Sequence, residues 1–94
     1  MDKREMQECL NLLRIFADEK RLNILNVIGS GKLSGVDILK QLPMPQPTLS
    51  YHLKILCEND ILDYEIKWKW TYYTINNKGL EKAIALLKKL EVSK

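Results

Sequence analysis

The pattern of apolar and polar positions divides this chain of 94 residues into helical segments and one hairpin. Apolar side chains that recur every three or four residues indicate amphipathic helices, and strict alternation indicates strands. The order of elements is four helices, a hairpin and a last helix. The periods predict helices over residues 2–17, 19–28, 35–42, 45–58 and 78–90, and a β-hairpin over residues 61–76.

Capping residues support the ends of these helices. Asp18 is placed to cap the second helix, and Gly29 follows its last apolar residue. Ser34 and Asp37 form a pair like a capping box at the start of the third helix. Asn76 or Asn77 is placed to cap the last helix, so four of the predicted boundaries rest on local chemistry as well as on periodicity.

The helix over residues 45–58 has two sides of different chemistry. One stripe is apolar and can dock on a core. The opposite side offers hydroxyl groups, an aromatic ring and a cation, which suit the groove edges and phosphates of nucleic acid. A short turn, Lys40–Pro45, joins this helix to the one before it, which is the helix-turn-helix pattern. On this stretch alone, an ordinary surface helix is an equally good interpretation. The apolar stripe is Leu49, Leu53 and Leu56, and the opposite side carries Pro47, Ser50, Tyr51 and Lys54, with Gln46 near the start.

The hairpin is rich in aromatic and β-branched residues, and its turn is predicted near Lys67–Lys69. No Gly or Asn lies in that turn, so the usual two-residue signal is missing. We expect Trp70 to anchor the hairpin in the core. We expect Trp68 to pack back on the body, while stacking on nucleic acid and docking of a partner protein are the alternatives.

Composition and charge describe one globular domain over residues 1–94, with 46% apolar and 29% charged residues. The net charge is +3, but residues 46–76 carry three Lys and four Asp or Glu, for a net −1. The proposed nucleic-acid segment therefore lacks a strong electrostatic footprint. No apolar run approaches the roughly 20 residues of a membrane span. The charged start, MDKREMQE, is unlike a secretory signal, so we expect a cytoplasmic protein.

Candidate residues for metal binding or catalysis are few. Two cysteines are too few for a disulfide framework. Together with the one histidine they also do not supply the roughly four ligands of a zinc site, so we predict no metal and no cofactor. No pattern resembles a nucleophile with its base, so we predict no enzyme. His52 is expected to pack or hydrogen-bond on the core side. Cys57 is expected to be half-buried and Cys9 to lie in an interface of the first helix, and nothing places the two thiols together for a redox switch.

Three motifs, in this order and spacing, resemble the bacterial and archaeal ArsR/SmtB repressors. They are ADEKRLNIL (Ala17–Leu25), QPTLSYHLKIL (Gln46–Leu56) and WTYYTIN (Trp70–Asn76). The resemblance covers roughly residues 8–90. It implies a mainly α (α+β) winged helix-turn-helix with about five helices and a two-stranded wing. It also implies a homodimer joined by the first and last helices, with two recognition helices in successive major grooves of an inverted-repeat operator.

The resemblance also implies which residues contact double-stranded DNA. In the central helix, four residues occupy positions that contact DNA in the family, and two more occupy positions suited to supporting contacts with phosphates. The wing would reach the flanking DNA backbone or the minor groove. By position, the DNA-contacting residues are Gln46, Pro47, Ser50 and Tyr51, the phosphate contacts are Thr48 and Lys54, and the wing contacts are Lys67 and Lys69.

The chain departs from the family pattern where metal-sensing members bind their ion. Those members carry Cys-x-Cys before Asp-Leu at the start of the third helix, whereas Ser34–Ile38 contains no thiol here. The segment Lys78–Lys94 contains neither His nor Cys. In the wing, Glu65 stands where a cation is common and Trp68 where Gly is common. We therefore predict a transcriptional regulator, a repressor, that senses no metal. A winged helix used as a protein-interaction module with little or no DNA binding is the alternative.

Overall fold

Five helices and a three-stranded antiparallel sheet form the fold in the computed structural model, which describes residues 1–93. The predicted order of elements, four helices, a hairpin and a helix, is confirmed, and each predicted helix lies within a few residues of its observed bounds. The elements are α1 (Lys3–Phe16), α2 (Glu19–Ile28), β1 (Leu33–Ser34), α3 (Gly35–Gln41), α4 (Gln46–Glu58), β2 (Leu62–Lys67), β3 (Trp70–Ile75) and α5 (Asn77–Lys88).

The predicted caps form as local hydrogen bonds. The Asp18 carboxylate accepts from the backbone N–H of Arg21 at 3.0 Å at the start of α2. Ser34 and its partner three residues on complete a capping box at α3. The Asn76 side chain accepts from the N–H of Lys78 at 2.9 Å. Gly29 ends α2 with a φ of +52°, a conformation that glycine adopts without the steric cost of a side chain.

The sheet has one strand more than the predicted two-stranded hairpin. β1 pairs with β3, with Leu33 opposite Tyr73, so β3 is the central strand. A strand of two residues is too short to show alternation, which is why the sequence indicated only an extended link there. Lys67 pairs with Trp70 across the hairpin, so its turn consists of Trp68 and Lys69, as the sequence predicted.

The core lies between α2, α3, α4 and the start of β2. The predicted stripe of α4 is buried. In α2 the helical period predicts an inward stripe of Leu22, Leu25 and Ile28, joined by Ile24, but the helix is rotated from that orientation and Leu22 is 51% exposed. The reason is that Arg21, Ile24 and Ile28 occupy the inner side of α2, and Arg21 spans toward α4. The buried cluster is Ile24, Ile28, Ile38, Leu49, Leu53, Leu56, Ile61 and Leu62.

The two terminal helices, α1 and α5, pack on each other along one apolar side and expose a second. The inner side buries Cys9 and Leu12 of α1 and Ala83 and Leu86 of α5. Salt bridges add to this packing, for example Lys82 Nζ to a Glu8 carboxylate oxygen at 3.2 Å. We call the outer side the terminal-helix face; it consists of Met6, Leu10, Leu13, Leu80, Ile84, Leu87 and Leu90, all exposed.

Candidate nucleic-acid interface

Helix α4 turns its polar side outward because its apolar stripe is held in the core. Pro45 is the N-cap and Pro47 the second helical residue, a position where no intrahelical N–H bond is lost. Among the predicted DNA-contacting residues of α4, only Thr48 is half-buried. The exposed ones are Gln46, Pro47, Ser50, Tyr51 and Lys54.

Tyr51 stands out on this side because it is a large aromatic residue with 61% of its surface exposed. Its ring meets the ring of His52 edge-on, with centroids 5.2 Å apart and an interplanar angle of 67°. Edge-to-face contact is a favoured geometry for aromatic pairs. The contact restrains the Tyr51 ring while its phenol remains accessible to a ligand.

His52 ties α4 to the preceding helices through a buried hydrogen-bond network. Its Nδ1 lies 3.0 Å from Nη1 of Arg21, and Nε of Arg21 donates to the Ile15 carbonyl oxygen at 2.8 Å. Because guanidinium only donates, Nδ1 of His52 is the acceptor and the ring proton sits on Nε2. The predicted core-side role of His52 is confirmed, and Arg21 has a structural role in the same network.

Burial lowers the pKa of His52, and the positive charges of Arg21 and Lys20 lower it further, while the carboxylate of Asp18 acts in the opposite direction. The neutral imidazole is therefore the form that this network holds at neutral pH. A protonated His52 would bring a second cation against Arg21 and lose its acceptor atom.

The structure brings α4 and the wing together around a shared groove. Gln46 and Ser50 of α4 line one wall, and Lys69 and Trp70 of the wing line the other, around a volume of about 260 Å³. Ser50 also lines a neighbouring groove of about 430 Å³ whose far wall includes Tyr64 and other β-strand side chains. Of the sequence-predicted residues, Gln46, Ser50 and Lys69 therefore border one groove, and Lys54 borders the neighbouring one.

The cations of this interface are partly neutralised by neighbouring carboxylates. Lys67 Nζ lies 3.6 Å from Oε1 of Glu65, and Lys32 is paired with the same oxygen. The hydrogen bond from Lys32, with Lys67 nearby, lowers the pKa of the Glu65 carboxyl group. Lys54 lies 3.9 Å from a carboxylate oxygen of Glu58.

Lys69 differs from the other wing cations. Within residues 1–93 it forms no ion pair, and its Nζ lies 5.5 Å from the centroid of the Trp70 ring.

Sequence reasoning missed Lys32, because its contact with Glu65 follows from the pairing of β1 with β3, and the sequence did not reveal β1.

Neither tryptophan lies where the sequence predicted. Trp68 was expected to pack on the body, yet it is 98% exposed, and Trp70, expected as a core anchor, is 41% exposed. The reason is that residues 63–70 project from the body as a hairpin whose side chains are all exposed. Tyr73 and Ile75, nearer the base of β3, pack against the core instead.

The two cysteines are free thiols on different helices, α1 and α4. Cys9 is buried on the inner side of α1 rather than on the terminal-helix face, and Cys57 is half-buried as predicted. Burial, with Asp63 nearby, raises the pKa of the Cys57 thiol, which favours the less nucleophilic protonated form.

In the described residues, no group of three or more His, Cys, Asp or Glu side chains could hold a metal ion. None of the described helices combines the length and apolarity that a membrane span requires.

Sequence comparison places these features in a family. The family described as "Bacterial regulatory protein, arsR family" matches residues 18–64, from the cap of α2 into β2. The chain is 31% identical to the arsenical resistance operon repressor of Staphylococcus aureus over 93% of its own length and 84% of that protein. It is 27% identical to the transcriptional repressor SdpR of Bacillus subtilis, over 79% of this chain and 82% of SdpR.

Structural comparison agrees over nearly the whole chain. HlyU from Vibrio cholerae superimposes with a TM-score of 0.76 and 28% identity, covering 96% of this chain and 97% of HlyU. A possible transcriptional regulator for arsenical resistance has the same fold, with a TM-score of 0.77 over 88% of this chain and 86% of its own. With a winged helix-turn-helix and matching sequence over most of its length, this chain belongs to the arsR family of DNA-binding transcriptional regulators.

Proposed function

We propose that this protein is a transcriptional repressor that binds an inverted-repeat DNA operator as a homodimer and senses no metal. The observation that carries the proposal is the groove shared by Gln46, Ser50 and Lys69, because it aligns the polar side of α4 with the wing. A helix entering the major groove beside a wing on the flanking backbone is an arrangement that can contact bases and phosphates together.

The exposed residues of α4 have chemistry that matches the proposed contacts. Gln46 can bond the N6 and N7 atoms of adenine, and the hydroxyl groups of Ser50 and Tyr51 can donate to or accept from base edges. Pro47 offers an apolar surface suited to a thymine methyl group. We assign phosphate contacts to Thr48, Lys54, Lys67 and Lys69, which would position the helix without specifying sequence.

The terminal-helix face supports the proposed dimer, with a second copy of this chain as its occupant. Six large apolar side chains of two adjacent helices, and Leu90 just beyond α5, are exposed there, an extent unusual for a surface that faces water alone. A domain of 94 residues buries limited surface by itself, so association adds stability. A two-fold dimer would present two copies of α4, as an inverted repeat requires.

The proposed absence of metal sensing rests on the chemistry of the chain. Ser34 is an N-cap bonded to Asp37 N–H at 3.1 Å, and no thiol lies between residues 34 and 38, where metal-sensing relatives carry theirs. Cys9 is enclosed between the terminal helices, so it does not supply an accessible ligand. We therefore propose no thiolate-bound ion as a signal for the release of DNA.

A protein-interaction module is the second candidate, and the charge of the wing favours it. Glu65 neutralises both Lys32 and Lys67, and residues 46–76 carry a net charge of −1. A weakly charged wing lowers the sequence-independent part of DNA affinity. The two candidates differ in one property, the binding of duplex DNA by the folded protein.

Selection of bound sequences from randomised duplex DNA, at ~50–100 mM salt, tests the proposal where phosphate contacts still contribute to affinity. We expect enrichment of an inverted repeat whose half-sites lie about one helical turn apart. Protein that is folded and dimeric but enriches no sequence would favour the protein-interaction module.

Tyr51 provides a sharper test of base contact. Tyr51→Ala should weaken binding to the enriched operator by about 1–3 kcal/mol while leaving binding to random DNA nearly unchanged. Tyr51→Phe removes only the hydroxyl group, keeps the ring against His52, and so separates hydrogen bonding from packing. Equal losses on operator and random DNA would remove Tyr51 from the specificity-determining residues.

A further inference from the structure

Trp68 occupies the first position of the wing turn in a conformation that costs stability. Its φ is +63°, and a bulky L-residue is rarely found there because the side chain crowds the backbone. Glycine is the usual residue at this position of a two-residue hairpin turn. The side chain gains no compensating burial, since it is 98% exposed. Strained, solvent-facing residues of this kind are concentrated where a protein contacts a ligand.

The surroundings of Trp68 identify the class of ligand. Lys67 and Lys69 precede and follow Trp68 in the chain, so the tip of the wing carries an aromatic ring and two lysines. Nζ of Lys67 lies near Glu65, and Nζ of Lys69 lies over the Trp70 ring. The same wing borders the groove that contains Gln46 and Ser50, which directs its tip to the ligand of α4. Duplex DNA offers that combination, with stacked bases between two rows of phosphates, whereas an acidic protein surface offers charge without stacked aromatic rings.

We propose that Trp68 is an apolar wedge that enters the minor groove beside each half-site and partly unstacks one base step. This inference rests on the proposed binding of DNA. Lys67 and Lys69 would bind the phosphates on either side, and the wedge would widen or kink the duplex locally. Because insertion of the wedge must deform the DNA, the flanks would contribute to specificity without hydrogen bonds to their bases.

The proposal predicts sensitivity to the exocyclic amino group of guanine, which projects into the minor groove. Inosine keeps the major-groove edge of guanine but lacks that group, which clears the minor groove and also removes one hydrogen bond from the base pair. Both changes make the base step easier for a wedge to open. We would compare the enriched inverted repeat carrying G·C flanks with the same duplex carrying I·C flanks. Wild-type protein should bind the inosine duplex about fivefold or more tightly than the guanine duplex, because the cost of unstacking a duplex step is a few kcal/mol and part of it is removed.

Trp68→Gly is the decisive variant because glycine suits the positive φ. Its thermal unfolding temperature should equal or exceed that of the wild type, so weaker binding cannot be ascribed to misfolding. We expect it to bind both duplexes at least about fivefold more weakly and to lose the preference for inosine. Ile66→Thr is the matched control, because Ile66 is an exposed apolar residue of the same wing, 66% exposed, and should retain the preference.

A second measurement observes the ring directly. The chain has two tryptophans, so Trp70→Phe leaves Trp68 as the only one. Stacking on bases should quench its emission and protect it from acrylamide when the operator is added. Unchanged affinity of Trp68→Gly together with an accessible Trp68 in the complex would overturn the wedge and assign the ring to a protein partner. Wild-type protein that binds no duplex would overturn the proposed function and the wedge together.

Discussion

Gly79, the third residue of α5, occupies a position that has no room for a side chain. A Cβ atom there would lie 2.7 Å from Cγ1 of Ile61 and 2.9 Å from the carbonyl oxygen of Asn59, and the Gly79 N–H donates to the Asp60 carbonyl oxygen at 2.9 Å. Because part of this wall is backbone, α5 would have to move. We predict that Gly79→Ala lowers the free energy of unfolding by about 1–3 kcal/mol, measured by urea denaturation.

Gly35→Ala is the matched control for that substitution. No atom lies within 4 Å of a Cβ built at Gly35, which is the first residue of α3. Its stability should be unchanged or higher by about 0.4–1 kcal/mol, because alanine restricts the unfolded chain. Equal urea midpoints for Gly79→Ala and the wild type would show that the contact of α5 with Asn59 and Ile61 is looser than these distances indicate.

His52 makes the stability of the domain depend on pH. Because burial lowers its pKa in the folded protein below the ordinary value of about 6.5, the unfolded chain binds protons more readily. The stabilisation is therefore complete above about pH 6.5 and is lost as the pH falls through the lowered folded-state pKa. We predict a falling free energy of unfolding in this window, measured by urea denaturation at several pH values.

His52→Asn tests whether His52 is the group responsible. The Asn carbonyl oxygen can accept from Arg21 where Nδ1 does now, and it does not titrate. Asp18 does not confuse the result, because its pKa is lowered from an ordinary value near 3.8, outside this pH window. A variant with the same pH slope as the wild type would exclude His52 as the source.

At the scale of elements, the carboxylate of Glu65 pairs with lysines of the wing region, although a DNA-binding surface benefits from unpaired cations. Glu65 on β2 pairs with Lys67 on its own strand and with Lys32 just before β1. We predict that Glu65→Gln frees both lysines for phosphates and tightens DNA binding. The dependence of log K on log salt should become steeper, by about 0.9 for each additional phosphate that a lysine neutralises.

Glu81→Gln is the control for total charge. Glu81 is exposed on α5, an element separate from the wing strands. The substitution removes the same single negative charge as Glu65→Gln. It should leave the salt slope unchanged. If both variants tighten binding equally, net charge and not the pairing of Glu65 accounts for the effect.

At the scale of the whole molecule, the terminal-helix face determines the oligomeric state in our proposal. Ile84 lies on this face and is 45% exposed in one protomer. We predict that Ile84→Glu places a charge in the dimer interface, converts the protein to an 11.0 kDa monomer and weakens operator binding, because one half-site is then lost. Sedimentation equilibrium gives the mass and a binding titration gives the affinity.

Leu22→Glu is the corresponding control on another surface. Leu22 is an apolar residue of α2 with 51% exposure, outside the terminal-helix face. It should leave the mass at that of the wild type. A dimer that survives Ile84→Glu, or dissociates with Leu22→Glu, would contradict a dimer interface formed by α1 and α5.

The sequence by itself determined the number and order of the helices, their ends and the two sides of α4. Caps such as Asp18 and Ser34 act on backbone groups three residues away, and the helical period repeats within four. Both signals are therefore complete in a short stretch of chain. The division of α4 into a buried stripe and an exposed polar side followed from that period and places five of the six predicted DNA-contacting residues of α4 at the surface.

Only the tertiary structure decided which apolar side of each element faces inward and which charges meet. Arg21 and His52 are 31 positions apart, and Lys32 and Glu65 are 33 apart, so no local period reports either contact. The first contact rotated α2 from its predicted orientation, and the second neutralised the wing. Trp68 lacked the burial that its apolar character predicted, because none of the elements in residues 1–93 covers the tip of the hairpin. Periodicity predicts which side of an element is apolar, whereas the packing of elements distant in the chain decides whether that side is covered.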